Sequence, residues 1–336
     1  MTALHGKGIW VLYSANLDLA LKAAVKIGAT HMLCKTGHQA TFLTEAAHWS
    51  HGRVRTARLT PFAWHSICCE DPAEEARVIL KTAEVGYDGI VFDVGERATG
   101  QQANAKELGR RLLDSGVNPQ TLYYSCFPNI SHYSSIPYAE MSAFCKGGFM
   151  PKSYPSLLKP AEVVIHKLTY EEHAKWSKVW ARSRPVYPIL ATYRDQLGQD
   201  PLSPDELSHW VDVLAKHKPT FFSIYRAALT SQDLWPILAK MPSALPQEPA
   251  PPKPVVPPEP VRLDVPMEVP TPITTPEAEE QEVYLTVQPD DVVWRLCQTN
   301  GCTRTQFWEW NGHLWDDRGM PRDPDYMQAG WRVRVR

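Results

Sequence analysis

No stretch of the 336 residues approaches the run of about 18 apolar positions that a membrane-spanning helix needs, so no membrane partner is expected. A net field is equally absent. The chain sets 35 Lys and Arg against 37 Asp and Glu, a formal charge of −2, which disfavours a nucleic-acid binder relying on a basic face. Cysteine is scarce, at 7: Cys68 and Cys69 are adjacent, Cys297 and Cys302 lie five apart, and no paired CxxC set exists. These read as reduced, buried thiols, not as a disulfide framework or a zinc site. His38, His48 and His51 do not fall at metal-ligand spacing, so no metal and no cofactor is expected. Met1 to Trp10 also lacks the basic, apolar, small-residue order of a secretory signal.

What is abundant is proline: 30 residues, about twice average usage. Nearly half fall in 242–281, where charged and small residues fill the gaps and no aromatic appears. Such a segment has too little apolar surface to offset the entropy of ordering, and its prolines stiffen it toward polyproline II. It reads as a semi-rigid tether. The expected organisation is therefore a large part over 1–241, a linker over 242–281 and a small part over 282–336.

The large part alternates apolar runs with amphipathic stretches. Strands are expected at Ile9–Ser14, His31–Lys35, Phe62–Cys68, Gly89–Val94, Leu122–Phe127, Phe149–Ser153, Val186–Thr192 and Phe221–Tyr225. Helices are expected at Leu17–Ile27, Pro72–Val85, Ala103–Ser115, Tyr170–Arg182 and Pro204–Lys216. Asp71-Pro72 and Ser203-Pro204, each followed by acidic residues, have the order of helix starts, and Gly86 and Gly116 that of helix stops. Eight strands alternating with helices over this length predict an α/β fold of the (β/α)8 TIM-barrel type. An open doubly wound sheet is the weaker alternative, because Ser14-Ala15-Asn16 stands where a Gly-rich phosphate loop would follow the first strand.

In such a barrel, function collects at the C-terminal strand ends. Those ends carry Ser14, Lys35, His65, Asp93 with Glu96, Tyr124, Lys152 with Tyr154, Tyr193 with Asp195, and Arg226. Aromatic faces beside hydrogen-bonding groups suit sugar rings, and carboxylates supply acid and base for glycosidic cleavage. The candidate catalytic residues are Asp93, Glu96 and Tyr154. Tyr124, Lys152, Tyr193, Asp195 and Arg226 are the candidate binding residues of the barrel.

The run Asp88-Gly89-Ile90-Val91-Phe92-Asp93-Val94-Gly95-Glu96 resembles the fourth strand of family-18 chitinase-like glycoside hydrolases, whose pattern is Asp-Gly-x-Asp-x-Asp-x-Glu. It is also similar to the acidic fourth strand of family-25 lysozyme-like barrels. Phe149-Met150-Pro151-Lys152-Ser153-Tyr154 resembles the chitinase-like Met-x-Tyr of strand six. The resemblance implies attack by the substrate's own acetamido group, assisted by an Asp and a Tyr, for which Asp93 and Tyr154 are the matches. Two positions depart from it: Val91 replaces an Asp and Gly95 replaces the catalytic Glu, leaving Glu96 one residue late.

The small part reads as strand, helix, helix, strand. Val283–Val287 alternates, Asp290 or Asp291 caps a helix, Thr303 opens a second helix ending at Asn311-Gly312, and Trp331–Val335 alternates again. Tyr284–Asp291, Trp310-Asn311-Gly312 and Met327–Val333 resemble the corresponding parts of a LysM domain, a small α+β module. That resemblance implies binding of N-acetylglucosamine-containing glycan, peptidoglycan or chitin, with Asp290, Asp291, Val292, Tyr326 and Met327 as contacts. Two functions are expected from the whole. One is a cell-wall glycan-binding, endolysin-like protein with a glycoside hydrolase barrel. The other is a non-catalytic binding or assembly protein of phage-tail or contractile-machine type, with a protein partner. Without a secretory signal, either is expected to be made in the cytoplasm and to act at the wall after lysis, through a dedicated machine, or in a virion.

Overall fold

The computed structural model describes residues 4–12, 14–194 and 200–241, and further on 283–287, 296–297, 300, 302, 304–311, 313–316 and 331–335. The chain divides into two compact units, Met1–Val255 and Val256–Arg336.

Nine strands build the first unit: β1 (Gly6–Val11), β2 (His31–His38), β3 (Thr41–Phe42), β4 (Thr60–Ile67), β5 (Gly89–Val94), β6 (Leu122–Cys126), β7 (Gly148–Pro151), β8 (Ile189–Ala191) and β9 (Phe221–Tyr225). All but β3 run parallel in the order β7-β6-β5-β4-β2-β1-β9-β8, and β3 folds back on β2 as a hairpin. Parallel bridges from Phe149 to Val186 and from Lys152 to Ile189 join the two ends, closing the sheet into a TIM barrel.

The helices are α1 (Leu17–Ile27), α2 (Thr44–Thr56), α3 (Pro72–Glu84), α4 (Gln102–Asp114), α5 (Tyr138–Phe144), α6 (Glu172–Val179), α7 (Pro204–Ala215) and α8 (Trp235–Lys240). The expected start signals form as read. The Asp71 carboxylate accepts from the N–H groups of Ala73 and Glu74, and Ser203 and Glu206 complete a capping box. Gly86 (φ 94) and Gly116 (φ 82) turn the chain after α3 and α4 in the left-handed region. Several boundaries differ from expectation, these three among them. β1 stops at Val11, and Ser14–Asn16 is a short 3-10 turn instead. β8 keeps only three of the seven residues expected between Val186 and Thr192. The helix expected at Tyr170–Arg182 is entered early, through a π-helical stretch over Val163–Glu171.

Strand alternation sorts the side chains into two cores. On β5, Ile90, Phe92 and Val94 pack outward against the helices with Leu108, Leu112 and Phe144. Val91 points into the barrel with Trp10, Leu33, Phe62, Trp64, Tyr123 and Met150. Burying each such large side chain contributes about 1.5–3 kcal/mol, and the interior is filled rather than hollow. All seven cysteines are free thiols; burial pushes Cys34 up to about 12 and Cys68 up to about 11.

In the second unit β10 (Tyr284–Thr286) pairs antiparallel with β11 (Arg332–Arg334). Helices α9 (Arg304–Asn311) and α10 (His313–Asp316) lie between them in sequence. Buried Asn311 ties α9 to the sheet: its amide donates to Phe307 O (2.9 Å) and Arg334 O (2.8 Å), and its carbonyl accepts from Arg334 N (2.7 Å). Val287, Leu296, Cys297, Phe307, Trp331, Val333 and Val335 form a small core.

Candidate functional site

The parallel strands deliver a polar group to the C-terminal mouth of the barrel, above a floor of Trp10 and Trp64, whose ring centroids are 5.5 Å apart. Indole hydrogen bonds fix that floor, from Trp10 Nε1 to Ser223 Oγ (2.8 Å) and from Trp64 Nε1 to Val11 O (3.0 Å). Asp93, two residues beyond inward-facing Val91, therefore faces the interior too, and its register neighbours are Ser66 on β4 and Ser125 on β6. Lys152, just past β7, reaches across to it: Nζ lies 2.7 Å from Asp93 Oδ1, with the two side chains 17% and 24% exposed. Tyr154 stacks on Tyr225 at 5.7 Å and 16°, and the Arg226 guanidinium lies 6.0 Å from the Tyr225 ring centroid. On the other flank, Lys35 sits 5.4 Å from the Trp64 ring centroid.

The electrostatics follow from this packing. Burial works to lower the Lys152 pKa, but the Asp93 carboxylate outweighs it and the ammonium ends above its ordinary value. Burial pushes the Tyr154 phenol well up, and Tyr225, Asp93 and Tyr193 add to the shift. Tyr225 is raised by burial and then by Asp93, against the opposing charges of Arg226 and Lys152. Both phenols thus stay protonated and act as hydrogen-bond donors. Asp93 is the site's carboxylate acceptor, and it already holds a cation.

The sequence-derived candidates divide accordingly. Asp93, Lys152, Tyr154 and Arg226 come together at the mouth, with Tyr193 buried beside them and adding to the field on Tyr154. Glu96 lies on the same rim but is exposed, opening a 3-10 turn over Glu96–Ala98. Tyr124 is not part of the group. It is fully buried on the helix side of β6, stacked on Phe149 at 4.8 Å, because its neighbour Tyr123 takes the inward position. His65 likewise points outward and donates through Nε2 to Gln39 O (2.8 Å), since a carbonyl can only accept, and burial lowers its pKa to about 4. Asp195, Asp290, Asp291, Val292, Tyr326 and Met327 lie outside the described residues. Tyr225 and Phe127 are site residues that strand-end reading passed over; period-two alternation from Ser223 would have marked Tyr225 as inward.

The register bears on the two departures in β5. Val91 is fully buried among aromatic rings. Gly95 has ordinary extended backbone (φ −121), and a Cβ built there meets nothing within 4 Å, so the space for a longer side chain is open. Met150 faces inward on β7, and Lys152, just past its end, reaches Asp93. Among the described residues no group of three or more His, Cys, Asp or Glu is placed to hold a metal. A separate groove of about 620 Å³, lined by Pro155, Leu158, Pro160, Arg194, Leu202 and Trp210, includes none of the mouth residues.

No family model matches the chain, and no curated protein matches it. Solved structures do. A chitinase from Chromobacterium violaceum ATCC 12472 superposes with a TM-score of 0.51 at 10% identity, over 70% of this chain and 98% of that one. Active domain 2 of a thermostable chitinase from Pyrococcus furiosus, solved with chito-oligosaccharides, gives 0.53 at 12% identity over 70% and 93%. A class V chitinase from Nicotiana tobaccum gives 0.52 at 9% identity over 71% and 99%. At such identities the likeness is one of fold alone: a TIM barrel.

Proposed function

We propose that the barrel mouth binds an N-acetylglucosamine-containing glycan, of peptidoglycan or chitin type, without hydrolysing it, and that the C-terminal unit is a LysM-type anchor for the same polymer. The observation that carries the reading is the 2.7 Å contact between Lys152 and Asp93, beside an empty side-chain position at Gly95. Glycosidic cleavage needs two carboxylates in separate roles, one donating a proton and one assisting attack. Here the inward carboxylate is neutralised by an ammonium, and the second position has no side chain. Stacked tyrosines around an ion pair still offer what a pyranose needs: flat apolar faces and fixed donors. Chitinases with this barrel type include one solved with chito-oligosaccharides, which supports glycan as the ligand class. On this reading the tether over 242–281 raises the local concentration of one module at the ligand of the other.

The test joins binding to turnover. Purified protein is mixed with chito-oligosaccharides and with peptidoglycan, binding is read by calorimetry or co-sedimentation, and new reducing ends are assayed. Binding without new ends is expected, and Asp93→Asn should weaken it. A second reading has one observation in its favour: Glu96 is exposed on the rim three residues after Asp93, with no ion pair among the described residues. Release of reducing ends that Glu96→Gln abolishes would replace the first reading with a hydrolase using a displaced acid.

A further inference from the structure

The loop after β6 carries two rings packed against the edge of the helix-side core. Phe127 and Tyr133 stack at 4.4 Å and 23°, and His132 meets Tyr133 edge-on at 4.6 Å. Both stacked residues are half-buried, not sealed into the core. Polar contacts hold this loop: Ser131 N donates to Glu172 Oε2 (2.9 Å), and Ser131 Oγ accepts from Lys175 Nζ (3.1 Å) and Trp176 Nε1 (3.1 Å). At its start, Tyr138 OH donates to Phe127 O (3.0 Å). One side of the pair rests on the core, and the contacts to Glu172, Lys175 and Trp176 tie the loop to α6.

Their position is set by Lys152. Its ammonium lies 5.3 Å from the Phe127 ring centroid and 2.7 Å from Asp93, so carboxylate and ring are both immediate neighbours of one charge. The aromatic pair therefore continues the polar mouth. We infer that Phe127 and Tyr133 form a second sugar-stacking subsite, which takes the next pyranose of the glycan whose first ring lies over Asp93 and Lys152. This rests on the glycan reading above and adds a length requirement to it: the ligand is an oligosaccharide, not a single sugar. A ring already fixed by its backbone loses little freedom when a sugar stacks on it, so the contact is preorganised.

The experiment compares N-acetylglucosamine with its β-linked tetramer by calorimetry on the full chain. The wild-type protein should bind the tetramer more tightly. Phe127→Leu and Tyr133→Leu keep apolar volume but remove the ring. Each should lose roughly tenfold in tetramer affinity, the scale of one aromatic contact, and Tyr133→Leu should leave the monosaccharide unchanged. Thermal melts verify that the variants fold. A readout independent of substitution is the upfield ring-current shift of sugar C–H protons on the wild-type protein, expected on one ring for the single sugar and on a further ring for the tetramer. Folded Leu variants that bind the tetramer as wild type does, or a tetramer with no ring shifted beyond the first, would overturn the subsite while leaving glycan binding intact. Failure of the wild-type chain to bind either sugar would overturn the glycan reading and the subsite with it.

Discussion

Replacing Lys152 with Met keeps a long apolar stem and removes the charge beside Asp93. At 2.7 Å the gross attraction is about 6 kcal/mol at an effective dielectric of about 20, and about 1.5 kcal/mol in water. Desolvation cancels much of this. Exposed pairs are worth about 0–1 kcal/mol and broken buried pairs cost about 3–5 kcal/mol. With side chains 17% and 24% exposed, the expected loss is intermediate, about 1–3 kcal/mol. Because the folded Lys152 pKa is raised, its stabilisation is full below the ordinary lysine value and is lost only as pH rises through the folded value. The cost should therefore be equal at about pH 6 and about pH 9. Urea unfolding of Lys152→Met, Asp93→Asn and the double variant measures the pair directly, since the double should cost less than the two singles added. A coupling energy near zero would sink the idea that Asp93 is neutralised, and with it the ground for reading the barrel as non-hydrolytic.

Gly95→Glu should fold normally, since its backbone is extended and the Cβ has room; alone it should give no turnover, and with Lys152→Met it should begin to release reducing ends. No release from that double variant would show that the missing carboxylate is not what silences the site. Lys7→Met should cost about 2–4 kcal/mol in chemical unfolding, because buried Nζ donates to Ile27 O (3.1 Å), Leu238 O (3.1 Å) and Ala239 O (2.8 Å) at the ends of α1 and α8. His31, His65 and His173 are each lowered by burial to about 4, so unfolding takes up protons and stability should fall as pH drops from 6.5 toward about 4. Three such protons set a limiting slope of about 4 kcal/mol per pH unit, and a flat unfolding midpoint from neutral to about pH 5 would contradict it.

The barrel was legible because its outward strand faces are apolar and its punctuation is strong. Gly89–Val94 and Phe221–Tyr225 begin and end where alternation and flanking residues place them, and Asp71-Pro72 and Ser203-Pro204 open α3 and α7 as read. Helix α2 escaped notice for a physical reason. Its buried face is Ala47, Ser50 and Val54, small residues whose helical spacing is masked by the charged and histidine positions between them. Asp93, near the end of its strand, faces inward, whereas Tyr124 and His65 face outward and their neighbours Tyr123 and Trp64 face the barrel. The start expected for β6, Leu122, is the observed one, but two adjacent aromatic residues give no sign of which one faces inward.

Pairing across the mouth is a different kind of information. Asp93 and Lys152 belong to strands two apart in the sheet, and nothing in either local sequence says that the ammonium will lie on the carboxylate. From the sequence, Asp93 and Glu96 suggested the acid and base of glycosidic cleavage. In the fold, Glu96 turns to the rim while Lys152 takes the inward place, so the same Asp moves from acid–base partner to half of an ion pair. One long-range contact thus reverses the chemistry that a local motif suggests. It also explains how Gly95 is tolerated: with its charge already matched by Lys152, Asp93 needs no second acid beside it. On the proposed reading, the mouth keeps the part of a glycan site that depends on shape, in Trp64, Tyr154, Tyr225, Phe127 and Tyr133. If that reading holds, the distinction to test is between holding a sugar chain and cutting it, and the Asp93–Lys152 ion pair is where the two uses separate.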